Sequence, residues 1–110
     1  MTGMLFVYVT VGSDAGAHRI ANAVIGERLA ACANILPPVT SIYHWQGKVE
    51  QGSEHVLILK TRATLFDRLE RRIRDMHSYE CPCIVALPIS AGHAPFLRWL
   101  AAETEGGERL

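Results

Sequence analysis

Residues 27–50 read ERLAACANILPPVTSIYHWQGKVE, and the structural pattern changes three times within this stretch. A helix ends in the first six residues, and ANIL then continues as extended chain. Pro37-Pro38 marks a bend or an edge, because proline has no N–H for the interior of a sheet. Residues 39–45 resume as a strand, and Gln46-Gly47 provides a tight turn. We therefore predict a β-hairpin whose second strand begins at about Val49.

The segments around this hairpin predict further strands and helices. Runs of β-branched, aliphatic and aromatic residues indicate strands at 4–11, 56–59 and 84–87. We expect Gly52-Ser53 to interrupt the strand that returns from the hairpin.

Three helices are predicted from capping residues and apolar spacing. Ser13 or Asp14 is expected to cap the first, and Thr64, with Asp67 three residues later, the second. A short third helix is expected at about 94–102, with its proline in the first turn.

The order of these elements predicts an α+β fold of the ferredoxin-like βαββαβ type, with an antiparallel sheet and an extra C-terminal helix. One domain, 1–110, accounts for the whole chain, with a core at about 4–103 and a polar tail at 104–110. Two helices cover one face of the sheet, so neighbouring subunits are the expected cover of the other face.

Charge and cysteine content narrow the class of protein. Eleven basic and eleven acidic residues give no general attraction to nucleic acid or to an anionic membrane. The apolar run at 4–11 is too short to span a bilayer and lacks the features of a signal peptide. Three cysteines cannot all pair within the chain, which favours a reducing compartment. We therefore expect a cytoplasmic protein that binds neither nucleic acid nor membrane.

Several linked motifs then carry a family resemblance. ERLAACANILP is followed by SIYHWQGKVE, ILKTR, HSYECPCIVALPI and a WL pair. Together, over Val7 to about Glu103, they resemble the CutA divalent-cation tolerance family. The resemblance implies a homotrimer of ferredoxin-like subunits related to the PII signalling proteins, with hairpins that reach across neighbours. It also implies a role in tolerance of copper and other divalent cations.

The best local candidate for metal binding is Cys81-Pro82-Cys83, with His77 four residues earlier. Thiols two residues apart on a strand point to one face, so both could bind a soft ion such as Cu(I) or Zn(II). The alternative is that these cysteines only pack, since two thiolates leave a zinc site short of its usual four ligands. A trimer could supply the missing ligands from another subunit.

The resemblance adds a third cysteine and a departure from the family pattern. Cys32 matches a cysteine discussed as a copper ligand in the family, although its alanine neighbours suit packing better than reactivity. Relatives usually carry proline and glutamate where this chain has Ser78 and Cys83, so a carboxylate is replaced by a softer ligand.

A second constellation consists of Lys60, Tyr79 and Glu80, which resemble residues that line the cleft between subunits in the family. Lys60 ends an apolar strand and needs a partner, for which Glu80 is one candidate. Tyr43 and Trp45 would supply apolar walls. We hypothesise a site for a small anionic molecule or a peptide terminus, the alternative being an ordinary interface ion pair.

Enzymatic and RNA-binding functions find little support. The sequence has no Gly-rich phosphate loop and no GxSxG motif, and acidic residues intersperse the arginines of the second helix. We therefore predict a non-enzymatic homotrimer that binds copper or a related divalent ion, with no organic cofactor and with its protein partners left open. The alternative is a PII-like module that binds a small molecule or a protein.

Overall fold

Five strands and three helices make up residues 2–106, the part of the chain that the computed structural model describes. The elements are β1 (Met4–Val11), α1 (Asp14–Gly26), β2 (Cys32–Ile35), β3 (Val39–Trp45), β4 (Lys48–Arg62), α2 (Phe66–Met76), β5 (Ile84–Ile89) and α3 (Ala94–Ala102). The predicted order of strands and helices is therefore confirmed, with the expected bend separating β2 from β3.

The sheet is antiparallel and has the order β2-β4-β1-β5. β4 lies in its middle, pairing with β1 from His55 to Arg62 and with β2 from Leu57 to Lys60. β3 pairs with the other half of β4. This arrangement confirms the predicted ferredoxin-like α+β fold.

The core lies between the sheet and the first two helices. Alternate residues of β1 and β4 point to this face because successive side chains of a strand alternate between faces. They pack against small and branched residues of α1 and against Leu69 and Ile73 of α2. The fully buried strand residues of this core are Val7, Val9, Leu57 and Leu59.

The opposite face of the sheet, which we call the open sheet face, is only partly covered in the single chain. Val85 and Leu87 of β5 are 51% and 59% exposed. They lie in register with Tyr8 and Phe6 of β1, which are partly buried. α3 contacts β4 but leaves these β5 side chains in solvent.

A two-stranded hairpin arm, β3 with residues 48–54 of β4, extends from the sheet. Gln46 and Gly47 both have positive φ and close its tight turn, as the sequence predicted. The predicted interruption at Gly52-Ser53 is wrong, because β4 runs through these residues without a break. The molecule therefore measures 48 Å along its longest axis against 25 and 24 Å along the others.

Two further details differ from expectation. Thr64 does not cap α2, because Ala63–Leu65 form a 3-10 turn that leads directly into the helix. Thr104, assigned by sequence to the polar tail, is fully buried and accepts a hydrogen bond from Arg62 Nε at 2.9 Å. The packed body thus extends past Glu103; residues 107–110 of the predicted tail lie outside the described residues.

The predicted cap of the first helix is confirmed. Ser13 caps α1, accepting a hydrogen bond from the Gly16 N–H.

Candidate functional site

A cavity of about 500 Å³ opens where the hairpin arm meets the segment between α2 and β5. We call it the aromatic cleft. Its walls come from three parts of the chain that are distant in sequence: the end of β1, the hairpin arm and residues 79–83. The lining residues are Thr10, Ser41, Tyr43, Trp45, Glu54, Tyr79, Glu80, Cys81 and Cys83.

Tyr79 is the best-fixed side chain of the aromatic cleft. Its ring lies against Gly12, where a Cβ atom would come within 3.1 Å of the phenol oxygen. Its hydroxyl donates a hydrogen bond to Glu54 Oε2 at 3.0 Å. Partial burial, and then the hydrogen bond and negative charge of Glu54, raise the pKa of Tyr79 to about 12. The phenol is therefore neutral and the carboxylate its acceptor.

His77 contacts Tyr79, and both of its ring nitrogens form hydrogen bonds. The Tyr79 N–H donates to Nδ1 at 3.0 Å, which places the ring proton on Nε2. Nε2 then donates to the Thr10 carbonyl at 2.7 Å. The two rings are also in contact, tilted by 49° with their centroids 4.7 Å apart. To coordinate a metal, His77 would have to lose one of these two hydrogen bonds.

The three cysteines are divided between two sites. Cys81 and Cys83 are exposed free thiols that line the aromatic cleft. Both precede β5, which begins at Ile84, so their expected placement on a strand is wrong. Cys32 is partly buried and lines a separate cavity of about 330 Å³ between β2 and α1. Within residues 2–106, no three His, Cys, Asp or Glu side chains are grouped so as to hold a metal ion. The four predicted metal ligands are thus not gathered at one point of a single chain.

The predicted cleft residues are also divided. Trp45, Tyr79 and Glu80 come together in the aromatic cleft, but Lys60 does not line it. Lys60 Nζ instead donates to Asn34 Oδ1 at 2.7 Å and contacts Cys32 Sγ at 3.7 Å. Among the described contacts of the single chain, no ion pair joins Lys60 to Glu80.

Sequence reasoning missed two residues that shape the cleft. Glu54 accepts the Tyr79 hydrogen bond, and Gly12 makes room for the Tyr79 ring. A signal for Glu54 was present, since it lies an even number of residues from Gly52 and Glu50, which face Ser41 and Tyr43 across the hairpin. Gly12 gave no such signal because the residue that it accommodates is distant in sequence.

The family model described as CutA1 divalent ion tolerance protein matches residues 5–103. The chain belongs to this family. The expected resemblance to CutA proteins is thereby confirmed.

Individual CutA relatives support the assignment. The divalent-cation tolerance protein CutA of Thermus thermophilus is 47% identical over 98 residues, which are 89% of this chain and 95% of that protein. The chloroplastic protein CutA 1 of rice is 43% identical over 100 residues, 91% of this chain but 56% of that protein. Human protein CutA is 42% identical over 98 residues, 89% of this chain and 55% of that protein. This chain therefore spans about half the length of the rice and human relatives.

Solved CutA structures share the fold. The Cut A1 protein of Thermus thermophilus superposes with a TM-score of 0.90 at 46% identity, covering 92% of this chain and 98% of that one. CutA1 from Oryza sativa gives a TM-score of 0.92 at 41% identity, covering 96% of this chain and 99% of that one.

None of the helices within residues 2–106 has both the length and the apolarity that a membrane crossing requires.

Proposed function

We propose that this protein is a non-enzymatic homotrimer that binds copper, or a related divalent ion, and so contributes to divalent-cation tolerance. The observation that carries the metal assignment is the pair of exposed thiols, Cys81 and Cys83, in a cleft that also holds two carboxylates. Divalent-cation tolerance is the role named for the Thermus relative and for the family model.

The donor atoms of the cleft suit a soft ion better than a hard one. Thiolates favour Cu(I) and Zn(II), whereas carboxylates alone favour magnesium or calcium. Cys81 and Cys83 would hold the ion, with its remaining ligands supplied by a neighbouring subunit of the proposed trimer. Thiolate ligands must also stay reduced, so we place the protein in the cytoplasm.

Assembly into a trimer is supported by apolar surface that the single chain leaves in water. Ile42 and Val49 of the hairpin arm are 67% and 66% exposed. Val85 and Leu87 are exposed on the open sheet face. Soluble monomers seldom leave so many large apolar side chains uncovered in contiguous patches. A neighbouring copy of the chain would bury both regions.

The decisive experiment measures metal in protein purified without a histidine tag and loaded under reducing conditions. We expect near-integral copper per subunit, loss of that copper in Cys81→Ser/Cys83→Ser, and retention in the control Cys32→Ser. Unchanged uptake in the double variant would remove the assignment to the cleft, and loss only in Cys32→Ser would move the metal to β2. Light scattering of the same samples tests the trimer, which a stable 12.1 kDa species would exclude.

A second function is favoured by the shape of the same cleft. Its volume of about 500 Å³ lies in the range of small-molecule sites, and three aromatic side chains line it. A PII-like module that binds a small molecule or a protein segment in this cleft is therefore the alternative. It requires no metal, so the two functions can be tested independently.

A further inference from the structure

The charged side chains that line the aromatic cleft are both acidic. Glu54 and Glu80 line it, and none of its other lining residues within the described part of the chain is Lys, Arg or His. Lys60, the cation expected there from sequence, is held by Asn34 instead. A cleft with this lining repels an anion and attracts a cation.

Both charged and aromatic groups are available to a ligand. Tyr79 occupies Oε2 of Glu54, and the described contacts leave Oε1 open. Tyr43 and Trp45 remain about half exposed and belong to the same face of the hairpin arm. Cations bind favourably over the faces of Trp and Tyr rings, and more strongly where water is excluded. The hydrogen bond from Tyr79 fixes the Glu54 carboxylate in position.

We propose that the aromatic cleft binds a small organic cation, with its positive group neutralised by Glu54 and Glu80 and its apolar body against Tyr43, Trp45 and Tyr79. This inference rests on the second function above, the metal-independent ligand cleft. It replaces the anionic ligand hypothesised from sequence with one of opposite charge. The cleft volume admits a body considerably larger than a single amine group.

Three probes of similar size and different charge test the ligand class. Benzylammonium is a cation, benzyl alcohol is neutral and benzoate is an anion. Each is titrated, with a metal chelator present, into isotopically labelled full-length protein while the two indole N–H resonances are followed by NMR. Trp99 is exposed to a similar degree but lies on α3, so its resonance reports non-specific contact. A Trp45→Phe variant assigns the two signals.

We expect the Trp45 resonance to move with benzylammonium at a concentration about tenfold lower than with benzyl alcohol, and least with benzoate. Glu54→Gln combined with Glu80→Gln should reduce the affinity for benzylammonium about tenfold, to that of the alcohol. The amide oxygen introduced by Glu54→Gln still accepts the Tyr79 hydrogen bond, so the cleft keeps its shape. The control Asp75→Asn removes a negative charge from the end of α2, outside the cleft, and should change nothing.

The possible outcomes test the preference for a cation separately from the existence of a ligand cleft. Equal affinity for all three probes, a preference for benzoate, or unchanged benzylammonium binding in the double glutamine variant would overturn the cation proposal while keeping a ligand cleft. A Trp45 resonance that responds to no probe would reject the ligand cleft as well. Copper uptake, measured separately, is affected by neither result.

Discussion

The coupling between Tyr79 and Glu54 gives the most direct test of the cleft geometry. Glu54→Gln keeps a hydrogen-bond acceptor 3.0 Å from the Tyr79 hydroxyl but removes the negative charge that opposes ionisation of the phenol. The pKa of Tyr79, about 12 in the native protein, should therefore fall. Partial burial, the largest cause of its elevation, is unchanged, so the pKa should stay above the ordinary value of 10.0.

The size of the effect follows from the strength of this hydrogen bond. A hydrogen bond to a charged group contributes about 1.5–3 kcal/mol and one to a neutral group about 0.5–1.5 kcal/mol, so exchanging the carboxylate for an amide removes about 1 kcal/mol. Solvent screening at a side chain that is 37% exposed keeps the effect from being larger. Because one pKa unit corresponds to about 1.4 kcal/mol, the pKa of Tyr79 should fall by somewhat less than one unit in the variant.

The stability of the folded protein should depend on pH through Tyr79. A group whose pKa is higher in the folded than in the unfolded protein stabilises the fold below the unfolded pKa and loses that contribution as pH rises through the folded one. Tyr79 should therefore cause a loss of stability between pH 10 and about 12. This loss should be smaller in Glu54→Gln and absent in Tyr79→Phe.

Ultraviolet absorbance of tyrosinate, recorded after rapid pH jumps, measures this titration. The chain has three tyrosines, and Tyr79→Phe should delete the transition at a pKa of about 12. Tyr8→Phe is the matched control, since Tyr8 lies on β1 outside the lining of the aromatic cleft and is not among the groups that raise the pKa of Tyr79. If the pKa of Tyr79 is unchanged in Glu54→Gln, the hydrogen bond to Glu54 does not control ionisation of the phenol, which refutes the proposed coupling.

Two further predictions concern packing and assembly. Gly12→Ala places a Cβ 3.1 Å from the Tyr79 hydroxyl and should displace the Tyr79 ring. The pKa of Tyr79, measured by pH titration, should therefore fall. The free energy of unfolding, measured by urea denaturation, should fall by about 1 kcal/mol. Gly26→Ala meets no atom within 4 Å and should be neutral or stabilising; equal effects of the two changes would contradict the packing argument. Ile42→Ser with Val49→Ser should dissociate the proposed trimer in sedimentation analysis, whereas an intact assembly with unchanged stability would show that these side chains are not interfacial.

The fold could be predicted largely from short-range patterns. Alternating apolar residues in β1 and the apolar spacing of α2 depend on neighbours a few positions apart, and both are confirmed. The prediction of a break in β4 was wrong because pairing between strands outweighs the local conformational preference there. Gly52-Ser53 has poor strand propensity, yet backbone hydrogen bonding to Thr40 and Ser41 of β3 keeps β4 extended there.

The site was less predictable because its contacts join distant parts of the chain. Trp45, Tyr79 and Glu80 were assigned to the cleft through the resemblance to the CutA family, and all three line it. The sequence did not reveal that Tyr79 contacts Glu54, 25 positions away, or that His77 reaches the Thr10 carbonyl, 67 positions away. Lys60 was assigned to the cleft through the same resemblance, but the partner that its position at a strand end requires is Asn34 on the neighbouring strand.

The hairpin arm connects the proposed assembly with the proposed ligand site. Two strands without a third are at best marginally stable in water, yet this arm carries large apolar side chains on both faces. Tyr43 and Trp45 lie on the face that closes the aromatic cleft, and Ile42 and Val49 lie on the other. A strand pair with one solvated face would need apolar residues on one side only. The second apolar face is thus explained if a neighbouring subunit covers it, and such a contact would fix the arm that forms one wall of the cleft. Ligand binding and assembly should therefore be coupled, because a dissociated chain leaves that wall without support.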